Sequence, residues 1–160
     1  MREGERLDGS WSYLRALSDP STAGIALLKL AVPPARSAAA LTTARSAARD
    51  AGFDPVTAAH AGSGVVYLTL RPDRWDAGAI DRLIGLVARL RGFARGEGGS
   101  LVVEACPTAA KQGADADSAA GATGLDPWGE IGSGFPVMRA LKENLDPNGT
   151  LNPGRFVGRL

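Results

Sequence analysis

The sole histidine, His60, stands in the run His60-Ala61-Gly62-Ser63-Gly64-Val65-Val66-Tyr67. Imidazole changes charge near neutral pH and can move protons, although a lone histidine beside a glycine turn is ordinarily structural or solvated. Lys29 interrupts an otherwise apolar strand-like stretch, Gly24 to Val32 (GIALLKLAV), and Glu104 does the same in Ser100 to Cys106 (SLVVEAC). Arg155 closes the turn-rich ending Asn152-Pro153-Gly154-Arg155. Each has a plain reading as well. Lys29 suits an edge lysine whose ammonium reaches water, and Tyr67 suits an ordinary cross-strand partner. Glu104 suits a cap on a neighbouring strand, and Arg155 a tie between tail and domain.

Alternating and helical patterns give the elements that must hold these residues. Gly24 to Val32 alternates, with Leu28, Leu30 and Val32 on one face and Ile25, Leu27, Lys29 and Ala31 on the other. Ala35 to Ala51 carries a narrow stripe of Ala40, Leu41, Ala44, Ala47, Ala48 and Ala51, whose small residues let a helix lie close to a sheet, and Gly52 suits its C-terminal cap. Val56 to Ala61 and Val65 to Arg71, joined through Gly62-Ser63-Gly64, read as a hairpin. A helix follows from Trp75-Asp76 to about Ala94, with Ile80, Leu83, Ile84, Val87 and Leu90 as its apolar stripe, and Ser100 to Cys106 is a fourth strand. The order strand, helix, strand, strand, helix, strand predicts an α+β fold: a ferredoxin-like antiparallel sheet with both helices on one face. Those helices are expected over Leu28, Val66, Leu68 and Leu70, which leaves Lys29, Tyr67, Thr69 and Arg71 on an open face.

Before and after this block the pattern changes. Leu7, Trp11, Leu14 and Leu17 fall at helical spacing up to Asp19-Pro20, and the charged start leads to the expectation of more chain in front of it. Four segments are expected: an N-terminal segment over 1–23, a ferredoxin-like cap over 24–110, a flexible linker over 111–125, and a C-terminal helix and tail over 126–160. The last helix is expected to bury Val137, Met138, Leu141 and Leu145 and to turn Arg139 and Lys142 outward.

Composition narrows the functional classes. The 160 residues carry 18 basic and 17 acidic side chains, a net charge of +1, so bulk electrostatics do not favour nucleic acid or an anionic membrane. One cysteine, Cys106, rules out an internal disulfide and a cysteine-rich zinc site and fits a reduced, cytoplasmic setting. No apolar run is long enough to span a bilayer, and Met-Arg-Glu-Gly-Glu-Arg lacks an export-signal core.

The closing run LKENLDPNGTLNPGRF resembles the end of FAD-linked oxidases of the vanillyl-alcohol-oxidase type, above all the FAD-binding subunit of bacterial glycolate oxidase. The hairpin is similar to that superfamily's His-x-Gly-Asp-Gly-Asn-x-His: His60 matches the first histidine, while Ser63, Val65 and Tyr67 stand where Asp, Asn and the second histidine would be. Gly98 to Glu104 resembles its Gly-Ser-x-x-x-Glu strand, with Ala105 in place of a following histidine. So few ligands remain that no metal site is expected. Lys29 before Pro33-Pro34 is a looser match. The resemblance runs from Gly24 onward and is strongest over Asp126 to Leu160.

It implies the C-terminal, substrate-side part of an FAD-dependent oxidase or dehydrogenase of small 2-hydroxy acids such as glycolate, in which this sheet covers the flavin ring. The FAD pyrophosphate-binding domain is expected elsewhere, because the sequence holds no glycine-rich strand-to-helix phosphate loop; 1–160 alone is expected to be inactive. By the resemblance, His60 is the base or orients the substrate as a hydride passes to flavin, with Tyr67 and Glu104 in support. Lys29 and Arg155 hold a carboxylate, Arg155 with the better geometry for paired hydrogen bonds. Asn152, Arg155, Gly62 and Gly64 lie toward the cofactor. An FAD-binding domain or subunit and an iron–sulfur subunit are the implied partners, the latter a route to the inner face of a membrane. A second class stays open: a small-molecule-sensing or protein-interaction module without catalysis, since fold does not decide function.

Overall fold

The computed structural model describes residues 24–111, 124–129 and 131–160. The helix expected around Leu7, Trp11, Leu14 and Leu17, and most of the linker expected over 111–125, lie outside the described residues. The chain divides into two units, Met1–Pro127 and Trp128–Leu160.

In the first unit β1 (Ala26–Ala31), α1 (Ser37–Asp50), β2 (Pro55–His60), β3 (Val65–Leu70), α2 (Ala77–Gly96) and β4 (Ser100–Ala105) follow the expected order, and a one-turn α3 (Thr108–Lys111) comes after β4. The strands lie in the order β2-β3-β1-β4, every neighbouring pair antiparallel. This is the ferredoxin-like α+β arrangement, with the first strand in the middle because the two helices each carry the chain across the sheet. Residues directly opposite share a face. Leu28 faces Leu68, and Leu30 faces Val66. With Leu70, Leu101 and Val103 they form one core with Ala40, Ala44, Ala47 and Ala48 of α1 and Leu83, Leu86, Val87 and Leu90 of α2. Four alanines on α1 let its backbone approach the sheet closely, and larger side chains on α2 fill the remaining volume. Within α2, Ile80 and Ile84 only flank that core, so its buried stripe is centred one position further round than the apolar spacing suggests.

Caps and tethers set where the helices begin and end. Asp76 accepts a hydrogen bond from Ala79 N–H at 2.7 Å and caps α2. The indole of Trp75 donates to Gly24 O at 2.7 Å, tying the start of α2 to the entry of β1. Arg36, just before α1, makes a two-pronged ion pair with Glu97 at the end of α2. That pair holds the Glu97 carboxyl below its usual range.

The sheet's second face is not uniformly open. Leu27 and Thr69 are opposite one another on it and are 1% and 2% exposed, so Thr69 does not belong to the open surface expected for it. Arg71 lies past the end of β3 and is exposed. The accessible part of this face is the half that carries Lys29 and Tyr67, both of intermediate exposure.

In the second unit, α4 (Phe135–Leu145) buries none of its residues. The stripe expected to be buried is open: Val137 is 63% exposed, Leu141 56% and Leu145 78%. One eleven-residue helix and a short tail offer no second layer to cover an apolar face, so periodicity identified the face correctly but not its burial. Lys142, expected to point outward, turns back onto Asp146 and donates to Leu151 O at 2.6 Å. Arg139 packs over the Phe135 ring at 4.9 Å.

Asp146 is the knot of this unit. It is 7% exposed, and its carboxylate accepts from the Lys142 ammonium, Thr150 N–H at 2.8 Å, Thr150 Oγ1 at 3.0 Å and Leu151 N–H at 2.9 Å. Lys142 above all, then the Leu151 N–H, hold this carboxyl well below the usual range. A depressed folded-state pKa means the stabilisation is full above the ordinary Asp value of about 3.9 and fades as pH falls through the lower folded value. The protection of the Thr150 and Leu151 amides, taken relative to the intrinsic exchange rate at each pH, is therefore expected to decline progressively once the pH falls below about 4 in the parent. Asp146→Asn should exchange fast already at neutral pH, with no acid step. Equal protection of both amides in the variant would show that the carboxylate does not hold the turn.

Candidate functional site

The register across the sheet decides which polar side chains meet. Tyr67 of β3 is opposite Lys29 of β1, which is opposite Val102 of β4. Glu104 is two residues along β4 from Val102 and therefore on the same face. Lys29 Nζ lies 3.4 Å from Glu104 Oε1 and 5.9 Å from the centre of the Tyr67 ring. Tyr67, Lys29 and Glu104 thus form one cluster on the face away from the helices. The ion pair is about one-third exposed at each side chain, 38% for Lys29 and 33% for Glu104. A pair that wet adds little stability, and the Lys29 ammonium, with three donors, keeps capacity for another anion.

His60 lies on the same face. It ends β2 opposite Val65, while Ala58 is opposite Tyr67, so His60 is one row along and one strand over from Tyr67. Its immediate neighbour is Ser63: His60 Nδ1 lies 2.7 Å from Ser63 Oγ, and that hydroxyl donates to His60 O at 3.2 Å. In the tautomer that places the proton on Nδ1, Nδ1–H donates to Oγ, the hydroxyl donates to the carbonyl, and Nε2 carries the lone pair. His60 is exposed and its ring is oriented by a bond within its own turn. Reading along the sequence did not single out Ser63 as that partner. The signal was its position three residues after His60 across a helical turn, Ala61–Ser63.

Gly62 and Gly64 behave differently. Gly62 is exposed with open space where a Cβ would be. Gly64 is buried against the end of β1, and its lack of a side chain is demanded by the chain itself. In the second unit, Asn152 and Arg155 line a groove of about 490 Å³ together with Met138, Leu141, Leu151 and Phe156. Asn152 adopts φ 48°, a left-handed conformation that asparagine tolerates, and Arg155 N–H donates to Asn152 O at 3.2 Å, closing the turn. Trp128 donates to Arg155 O at 3.1 Å and stacks edge-on against Phe156 with ring centres 5.0 Å apart. The backbone at Arg155 is held while its side chain stays exposed.

Among the described residues no cluster of three or more His, Cys, Asp or Glu side chains could hold a metal ion. Burial pushes the Cys106 thiol up, away from reactive thiolate character. No helix among them is long and apolar enough to cross a membrane.

A family model described as FAD linked oxidases, C-terminal domain, matches residues 6–104 and 130–156, so the match draws on both units. No curated protein matches the chain.

Proposed function

Because the chain belongs to the family of C-terminal domains of FAD-linked oxidases, we propose that it is the substrate-side part of a flavoenzyme that oxidises a small 2-hydroxy acid such as glycolate. The observation that carries this reading is the cluster of Lys29, Tyr67 and Glu104 on an accessible sheet face, with His60 further along the same face. The resemblance of the tail and hairpin to the FAD subunit of bacterial glycolate oxidase supports the choice of substrate class.

The donor set fits the ring-and-substrate end of the cofactor and not its pyrophosphate end. A pyrophosphate needs free backbone N–H groups at a helix start. The sequence holds no glycine-rich strand-to-helix phosphate loop, which supports placing the FAD pyrophosphate on a partner domain or subunit, with an iron–sulfur subunit as a suitable next carrier of electrons. Bound FAD supplies the hydride acceptor. Everything else is done by side chains. Lys29 holds the substrate carboxylate, and Glu104 and Tyr67 fix the ammonium so that little entropy is lost on binding. His60, oriented through Nδ1 by Ser63, takes the hydroxyl proton on Nε2. Arg155 and Asn152 meet the cofactor side, and the open apolar stripe of α4 docks on the FAD domain.

The 160-residue chain purified alone is expected to be colourless, and co-expression with an FAD-binding domain of this enzyme class should yield a complex with flavin absorbance and glycolate-dependent bleaching. Stoichiometric flavin absorbance from the isolated chain would overturn the assignment of FAD binding to a partner. Bleaching by other substrates but not by 2-hydroxy acids would overturn the substrate class.

A further inference from the structure

The two edges of the sheet are finished differently. Outside β4, Val103 N–H donates to Pro127 O at 2.8 Å. That segment is itself held by Leu125 N–H on Ala110 O at 2.8 Å and by the Arg91 guanidinium on Pro127 O at 3.2 Å. β4 also changes register against β1 between Leu27 and Leu28. Strand addition is blocked there. Outside β2, no further strand lies among the described residues. Free edges are normally guarded by lysine, a mid-strand proline, a bulge or a covering loop. β2 reads PVTAAH, keeps unbroken register with β3, has its proline at the first position and carries no Asp, Glu, Lys or Arg.

We infer that β2 pairs antiparallel with β2 of a second copy of this chain, joining two four-stranded sheets into one eight-stranded sheet across a two-fold axis. A second copy suits this edge better than a foreign strand for a stated reason. Strand addition takes its affinity from the backbone and its selectivity from side-chain pockets or charges. This edge offers small, uncharged side chains and so no charge with which to select a foreign partner, whereas an antiparallel pair of identical strands is self-complementary. Continuity of both faces requires opposed residues to be of the same parity. Centred on Ala58, the pairing sets Ala58 against its own image, Thr57 against Ala59 and Val56 against His60, with no like charges opposed and Pro55 outside the ladder. Val56, 36% exposed, is then covered. The inference is independent of flavin binding.

Light scattering on the full 160-residue chain is expected to approach twice the 16.5 kDa of one chain as concentration rises. Ala58→Lys and Ala58→Glu should each return the mass to one chain, because they oppose like charges across the axis, and an equimolar mixture of the two should restore the dimer. Circular dichroism checks that both variants fold; if either does not, amide exchange on the parent decides, with β2 amides gaining protection as concentration rises. A parent that stays monomeric throughout, β2 exchange indifferent to concentration, or dimers of undiminished strength in both folded Ala58 variants would each overturn the pairing. So would a dimer dispersed by Leu141→Glu on α4 and untouched by the Ala58 changes, which would assign self-association to the second unit.

Discussion

Gly64→Ala is expected to abolish stable folding of the first unit, measured as loss of the cooperative thermal transition and of soluble protein. Gly64 adopts φ +72° at the close of the hairpin turn, a left-handed conformation that costs an L-residue about 1–2 kcal/mol. That cost alone is survivable for a domain with a typical 5–15 kcal/mol in hand. The decisive term is steric: a Cβ here would sit 1.8 Å from the carbonyl oxygen of Val32 and 3.0 Å from its carbon. Both are backbone atoms, so no rotamer change relieves the overlap. The Gly64 carbonyl also accepts from Val32 N–H at 2.9 Å, so moving the turn away breaks the bond that closes β1 onto the hairpin. Gly99 meets the same strand from the other side, with its Cβ position 2.0 Å from Ala31 O. The end of β1 is thus clamped between two glycines. Gly62→Ala is the internal control, because nothing lies within 4 Å of its Cβ position and it should fold as the parent does. Similar melting of Gly64→Ala and the parent would mean that the hairpin yields more readily than this packing allows.

Much of the first unit was legible because its signals are local and agree with one another. The period-two runs around Leu28, Leu68 and Leu101, the small stripe at Ala40 and Ala44, and the strand-helix-strand-strand-helix-strand order all point to one sheet with one covered face. The burial of Thr69 opposite Leu27 was not legible, because alternation assigns a residue to a face without saying how much of that face is covered. The α4 stripe failed in the opposite direction. Val137, Leu141 and Leu145 carry the helical period of a buried face and are exposed, since periodicity records what a helix is built to touch and not whether the partner is in the same unit. Lys142 looked like a solvated cation placed for the helix dipole. The buried carboxylate of Asp146, four residues on, competes more strongly for its ammonium. At the candidate site, the sequence offered Lys29, Tyr67 and Glu104 as separate interruptions of apolar runs, and only strand register could bring three distant positions together. The His60 and Ser63 contact is the reverse case. It spans three residues and lay in plain view, yet a glycine turn gives no sequence cue to the direction of its side chains.

His60→Ala, made in this chain within the complete flavoenzyme, is expected to lower kcat for glycolate by about 10²–10⁴, the usual contribution of a positioned general base. The expectation depends on where the proton goes. Oxidation of a 2-hydroxy acid to the keto acid or aldehyde-acid removes a hydride from carbon and a proton from the hydroxyl, and the proposed acceptor of that proton is the His60 imidazole, which shares a face with Lys29. Lys29→Met should separate cleanly from this, raising KM by about tenfold or more with a smaller change in kcat, since a charge-assisted hydrogen bond to a carboxylate contributes about 1.5–3 kcal/mol to binding. Ser63→Ala tests the link between the two levels. It leaves the imidazole in place but removes the 2.7 Å contact that orients it, so kcat should fall by less than in His60→Ala, and the loss should not be rescued by raising substrate. Should His60→Ala leave kcat and KM intact, the base lies elsewhere, and the imidazole reverts to a polar turn residue whose role ends with its bond to Ser63. A KM effect in His60→Ala equal to that of Lys29→Met, with kcat unchanged, would instead make His60 a second carboxylate ligand. The two residues share one face but lie on different strands and rows, so the split between kcat and KM distinguishes proton transfer at one end of the substrate from anion binding at the other.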